Sequence, residues 1–179
     1  ANLATATTSG LSISLVVEKG SSAATANANG ATTAEITGGS GGSSSVDVRA
    51  LARNTADARA NASGGGLGVG VNSADARSKA NGAVTSGAGN ASVASTVTSS
   101  GAINIAAVSE ADANADAQGL AFGLVGAVGL MSANAEVAPA VTNLVKGTTT
   151  LTGQGVSITA THNQGGQNAR AKADSAGVG

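Results

Sequence analysis

His162, in the stretch ATHNQGG, is the sole imidazole in the chain, and no cysteine accompanies it. A lone histidine cannot build a histidine-cluster metal site. As a general base it would need an oriented partner. The densest acids are Glu110, Asp112 and Asp116, and the segment DANAD superficially matches the start of a calcium loop. It lacks the glycine at the sixth position and places Gly123 where the bidentate glutamate belongs. The Gly-rich stretches SGGGLGVG and GGSGGSSS are followed by no phosphate-loop lysine. Asn61 and Asn90 open NAS sequons, which matter only in a eukaryotic secreted protein. These residue types and spacings therefore assign no catalytic, cofactor-binding or metal-ligating residue, and the chain is not expected to be an enzyme.

The elements around these residues are unusual in being small. The 179 residues include 27 Gly, one Phe, and no Trp, Tyr or Cys. Alanine makes up most of the hydrophobic fraction, and each alanine buries little area. Stability must then come from repeated hydrogen bonds and close backbone approach. Disorder is disfavoured: disordered chains are rich in Pro and net charge, whereas this one has a single Pro, Pro139, and a net charge of −1. That charge offers no footprint for nucleic acid and no polybasic membrane patch. The apolar run from Gly119 to Met131 is too short and too glycine-rich for a transmembrane helix, which needs about 20 residues. Residues 1–20 carry no signal-peptide pattern, and a start at Ala1 suggests a segment of something longer.

The chain repeats. SVDVRA (45–50), AINIAA (102–107) and GVSITA (155–160) are alike, and each follows a turn-like cluster: ITGGSGGS, VTSSG or LTGQG. Each precedes an alternating alanine run: ADARANASG, ADANADAQG or ARAKADSAG. A Gly/aliphatic stretch comes next, as in GGGLGVGV and GLAFGLVGAV, with GLSISLVV as an earlier copy. Aligning Ala62, Ala117 and Ala173 gives a period of about 55 residues, as in repeat arrays. Approximate repeats are 1–35, 36–96, 97–150 and 151–179, all within one array.

Alanine favours helix, but the period decides for strand. Ala56, Ala58, Ala60 and Ala62 lie two apart, as do Ala111, Ala113, Ala115 and Ala117, and so line one face of a strand. In the apolar stretch, Leu120, Phe122, Leu124, Val128 and Leu130 fall on one side of a single strand. Ala121, Gly123, Val125, Ala127, Gly129 and Met131 fall on the other. Both faces are apolar, so both are expected to be covered. The fold class expected is all-β: a parallel β-solenoid, or β-helix, with Ala/Gly-rich strands. The alignment stacks Asp57/Asp112/Asn168, Arg59/Asn114/Arg170 and Asn61/Asp116/Lys172 in columns on an exposed face.

The succession INIAAVS, ADANADAQG, LAFGLVGAVGLMSANAEVAPAV and GTTTLTGQGVSITAT resembles repeats of very large secreted bacterial filamentous adhesins, of the leukotoxin and filamentous-haemagglutinin-like types. The short first repeat and the polar THNQGGQN depart from it. The resemblance implies a secreted, surface-associated β-solenoid shaft and brings no catalytic residues.

The function expected is thus structural: the shaft of an extracellular filament or cell-surface adhesin. Its partners are further copies of itself, end to end or lateral, with host or surface glycans as a further class. No nucleic acid, transmembrane segment or cofactor is expected. Two alternatives share the fold. An ice-binding β-solenoid would carry ranks of Thr in successive repeats, of which Thr37, Thr98 and Thr152 are candidates. A polysaccharide-binding β-helix would need clustered carboxylates.

Overall fold

In the computed structural model, which describes residues 1–40, 44–166 and 168–178, the protein is all-β with no helix among those residues. The Gly-Ser cluster at 41–43 and Gln167 of the THNQGGQN stretch lie outside the described residues. Among the described residues, fourteen strands follow one another in tiers. The first tier is β1 (Asn2–Ser14), β2 (Val17–Ala28), β3 (Thr32–Ile36) and β4 (Gly39–Ser40). The second is β5 (Val46–Gly66), β6 (Val69–Ala80), β7 (Ala83–Gly89) and β8 (Ser95–Thr98). The third is β9 (Ala102–Gly123), β10 (Gly126–Val137), β11 (Ala140–Lys146) and β12 (Thr149–Thr152). Strands β13 (Gly155–His162) and β14 (Ala169–Val178) begin a fourth.

Every strand pairs in parallel with its counterpart in the adjacent tier, which yields four sheets. Sheet A runs β1-β5-β9, with β13 and β14 both laid on β9. Sheets B, C and D run β2-β6-β10, β3-β7-β11 and β4-β8-β12. The ladder continues through the corners. Val69 N donates to Val16 O at 3.1 Å, Val125 N to Gly68 O at 3.2 Å, Ala138 N to Ala80 O at 3.1 Å and Gln154 N to Gly101 O at 2.9 Å. Backbone groups that a turn would normally leave to water are thus satisfied by the tier beside them.

The alternation read from sequence sets the interior. In β5 the even positions from Val48 to Ala62 point inward, and in β9 the odd positions from Ile103 to Ala121 do so, apart from the half-buried Gly119. Sheets A and B meet through a layer made mostly of alanine, which includes Ala56, Ala58, Ala60, Ala76, Ala80, Ala115 and Ala117, with Met131 and Val137 packed against it. Each alanine contributes one methyl, so the layer is thin and tolerates little extra volume. At the other end of sheet A, where it meets C and D, larger residues fill a wider corner: Val48, Val97, Ile103 and Ile105.

Two sequence expectations are corrected. The stretch from Gly119 to Met131 is not one strand: β9 ends at Gly123, Leu124 and Val125 turn the corner, and β10 starts at Gly126. Its faces are not both covered. Ala121 and Gly123 are buried, whereas Phe122, Leu124, Val125, Val128 and Leu130 face outward and are exposed. The small side chains, not the large ones, fit the thin interior.

The register between β5 and β9 also differs from expectation. The spacing is 52 residues between Asn2 and Asn54 but 57 between Arg53 and Glu110. The columns are therefore Asp57/Asn114/Arg170, Arg59/Asp116/Lys172 and Asn61/Gln118/Asp174. A slip of two keeps every alanine on its face. The structure's register sets Val46 and Val48 on Ile103 and Ile105, and opposes Arg59 with Asp116 rather than Asp57 with Asp112.

Candidate functional site

The residues singled out for chemistry are dispersed, and the acids among them are individually engaged. His162 is exposed at the end of β13, beside Ser109 in the ladder. Glu110 is ion-paired with Arg53. Asp112 Oδ1 accepts from Asn168 N at 3.2 Å, and Asp116 accepts from Gln118 Nε2 at 3.1 Å. Asp57 is held by Arg59 at 3.1 Å and by Asn114 Nδ2 at 3.3 Å. Among the described residues no three His, Cys, Asp or Glu side chains gather as a metal site. The surface depressions agree. The one bounded by Gly129, Leu130, Met131, Ala173 and Ser175 has Asp75 and Arg77 as its charged lining, and these pair with each other at 2.8 Å.

Sequence reasoning missed an inward polar set. Glu18 in β2 is 4% exposed, in a column with Gly70 and Ala127 rather than with another titratable group. Asn72 is fully buried, and its Nδ2 donates to Gly64 O at 3.0 Å and Leu120 O at 2.7 Å. It links sheet B to two tiers of sheet A. Asn54 is equally buried, accepts from Asn2 Nδ2 at 3.0 Å and donates to Gly30 O at 3.4 Å. The Nδ2 groups of these asparagines satisfy backbone carbonyls of β5, β9 and the β2–β3 connection, a structural use. The signal was available: an asparagine on the inward parity of an otherwise Ala/Gly face.

What the fold does gather is surface. The corner between sheets A and B is apolar in every tier. The first tier presents Leu11, Ile13, Leu15, Val16 and Val17; the second presents Leu67; the third presents Phe122, Leu124, Val125, Val128 and Leu130. Ile13 is 80% exposed and Leu124 77%. Glycines on the inner side let the corner close: a Cβ on Gly68 would lie 1.8 Å from Val16 O. Phe122 packs across Gly65 of the tier below, where a Cβ would meet its ring at 2.1 Å.

Sheet D and sheet C carry outward threonines. Thr96 stacks on Thr150 and Thr98 on Thr152, with Val97 and Leu151 turned inward. Thr33, Thr85 and Thr142 form a column on sheet C. Thr37 is not in the Thr98 column, because Ser40 holds that place.

The third feature is the pair of open ends. The outer edges of β1, β2, β3 and β4 at one end, and of β10 through β14 at the other, pair with no further strand among the described residues. β13 and β14 are exposed along almost their whole length. Compared with known families, curated proteins and solved structures, the chain matches no family model, no curated protein and no solved structure.

Proposed function

We propose that the tiers are coils of a parallel β-solenoid and that the chain is a segment of a structural shaft in an extracellular filament or cell-surface adhesin. The observation that carries this reading is the parallel ladder, in which each sheet-A strand is laid on a counterpart 52 to 57 residues away. Hydrogen bonds then run along the long axis, as in cross-β stacks, and each tier is stabilised by its neighbours. Parallel edges at both ends template further pairing, so copies join end to end. The dispersed and paired acids favour a non-enzymatic role. The secreted location rests on the resemblance to filamentous adhesins.

The test is electron microscopy and fibre diffraction on the purified chain. Thin fibres with a reflection near 4.8 Å along the fibre axis are expected. Discrete particles without that reflection would refute end-to-end stacking, and a helical circular dichroism spectrum would refute the solenoid.

Ice binding is a second reading, favoured by one observation. Thr96 and Thr98 on β8 match Thr150 and Thr152 on β12, an outward Thr-x-Thr pair repeated in adjacent tiers. Thermal hysteresis that disappears in Thr96→Leu/Thr150→Leu would establish it. Its absence would remove it without touching the shaft.

A further inference from the structure

We infer that the apolar corner between sheets A and B is a lateral interface, and that its occupant is a second copy of this chain laid alongside in antiparallel two-fold fashion. This goes beyond end-to-end stacking, because it uses a different surface and needs only the tiered fold.

Area is the first argument. Eleven large apolar side chains at this corner are between 42% and 80% exposed. Together they present on the order of 1,000 Å² of apolar surface, above the roughly 300–600 Å² of the largest patch on a typical monomer. A standard interface takes about 800 Å² from each partner, so one copy supplies what a stable dimer needs.

Charge is the second. The outward positions on both flanks are aliphatic, aromatic, Gly, Ala or Ser, with one exception: Lys19, in a column with Val71 and Val128. A self-complementary contact therefore brings together almost no like charges. A parallel arrangement would set the two Lys19 side chains opposite each other. The antiparallel one places them at opposite ends, where each aliphatic stem covers the partner's third-tier corner and the ammonium stays in water.

The backbone is the third. Removing water from a corner normally orphans its peptide groups. Here Val69 N and Val125 N already donate to Val16 O and Gly68 O of the tier below. Covering the corner costs little polar desolvation.

The absence of cysteine among the described residues makes the test clean. Leu67 is the corner residue of the middle tier, so a two-fold sets it against its own copy. Leu67→Cys is expected to give a disulfide-linked dimer under mild oxidation. Thr33→Cys, outward on sheet C, is expected to remain a thiol. End-to-end stacking leaves successive Leu67 positions at least ~14 Å apart, beyond the ~4.4–6.8 Å between bridged Cα atoms. The bond therefore reports the lateral contact and not the fibre. In sedimentation equilibrium, Leu124→Ser is expected to weaken the dimer by about ten- to a hundredfold, the loss for one buried leucine. A Leu67→Cys chain that forms fibres but no disulfide overturns the lateral dimer while leaving the shaft standing. Flotation of the wild-type chain on phosphatidylcholine vesicles, together with no disulfide in Leu67→Cys, also overturns it and gives the corner to lipid.

Discussion

The side chain of Asn163 takes the place of a strand residue opposite Ala111. Ala111 N donates to Asn163 Oδ1 at 2.8 Å, and Asn163 Nδ2 donates to Ala111 O at 3.1 Å. The chain leaves sheet A after β13 and rejoins it where Asn168 O accepts from Ala113 N at 3.1 Å. Between those points one amide side chain completes the ladder. Asn163 also has a φ of +49°, a left-handed conformation that asparagine tolerates well. Asn163→Gly would keep that conformation and lose the two bonds, while Asn163→Ala would lose both. The expected order of stability is wild type, then Gly, then Ala. Alanine should cost roughly 2 kcal/mol or more, from two unmade hydrogen bonds at about 1 kcal/mol each plus backbone strain. Urea unfolding gives the order, and a glycine variant as stable as wild type would show that the amide does not complete the ladder.

The alanine layer between sheets A and B predicts an inverted size rule. Ala115 is fully buried, in a column with Ala58 and Ala171. In an ordinary core a larger aliphatic residue next to a void is tolerated. Here the facing residues are also alanines, and a leucine has nowhere to go without parting the sheets. Ala115→Leu should destabilise by about 1–3 kcal/mol or more, against about 0.5–1 kcal/mol for Ala115→Gly. The thermal midpoint should therefore fall further for leucine than for glycine. The reverse order would mean that the sheets are not held at alanine spacing.

Strand character was legible because alternation survives even in a sequence this poor in large residues. ADANADAQG lines one face with alanine whatever its register. Register was not legible there for the same reason: a two-residue slip leaves every alanine facing inward. The motif pair SVDVRA and AINIAA did carry the register, since Val46 and Val48 lie on Ile103 and Ile105. The alanine runs suggested a spacing two residues shorter, and bulky side chains decide because only they are costly to misplace. The burial of the Gly/aliphatic stretch was misread for a related reason. Leu120 and Phe122 suggested a covered strand, but an interior built to alanine width accepts the Ala121 and Gly123 side and leaves the larger side out. Side-chain pairing was not legible either: Arg53 and Glu110 are 57 residues apart, and only the register of β5 on β9 sets them side by side.

Lys172 gives β14 a weak alkaline dependence. Its ammonium is held above the ordinary 10.5, first by the hydrogen bond to Asp174, then by that carboxylate's charge, with Asp116 adding to it. A cation whose folded value is raised stabilises fully below its unfolded value. That contribution is lost as pH rises through the folded value. The effect is small because both partners of the pair are exposed to water. The thermal midpoint of the wild type should drop slightly more than that of Lys172→Met between pH 9 and about pH 11. Equal slopes would show that the pair does not hold in solution.

On sheet C, Lys146 of the third tier reaches across the second to pair with Glu35 of the first. The column between them is Glu35/Gly87/Leu144, so the middle tier offers no side chain to obstruct the span. Two effects can be separated here. The ion pair is partly exposed, and such pairs contribute about 0–1 kcal/mol. Lys146→Ala should therefore cost little, and the cost should fade in about 1 M salt, where charges are screened within roughly 3 Å. Gly87→Ala is different, because its Cβ would come within 2.4 Å of Leu144 O, a backbone atom that cannot step aside. That variant should lose on the order of 1–3 kcal/mol, and salt should not recover it. Urea titrations of both variants at low and high salt decide the matter. If Lys146→Ala were the costlier change, or Gly87→Ala the salt-sensitive one, the charge rather than the close approach of the tiers would be holding sheet C together.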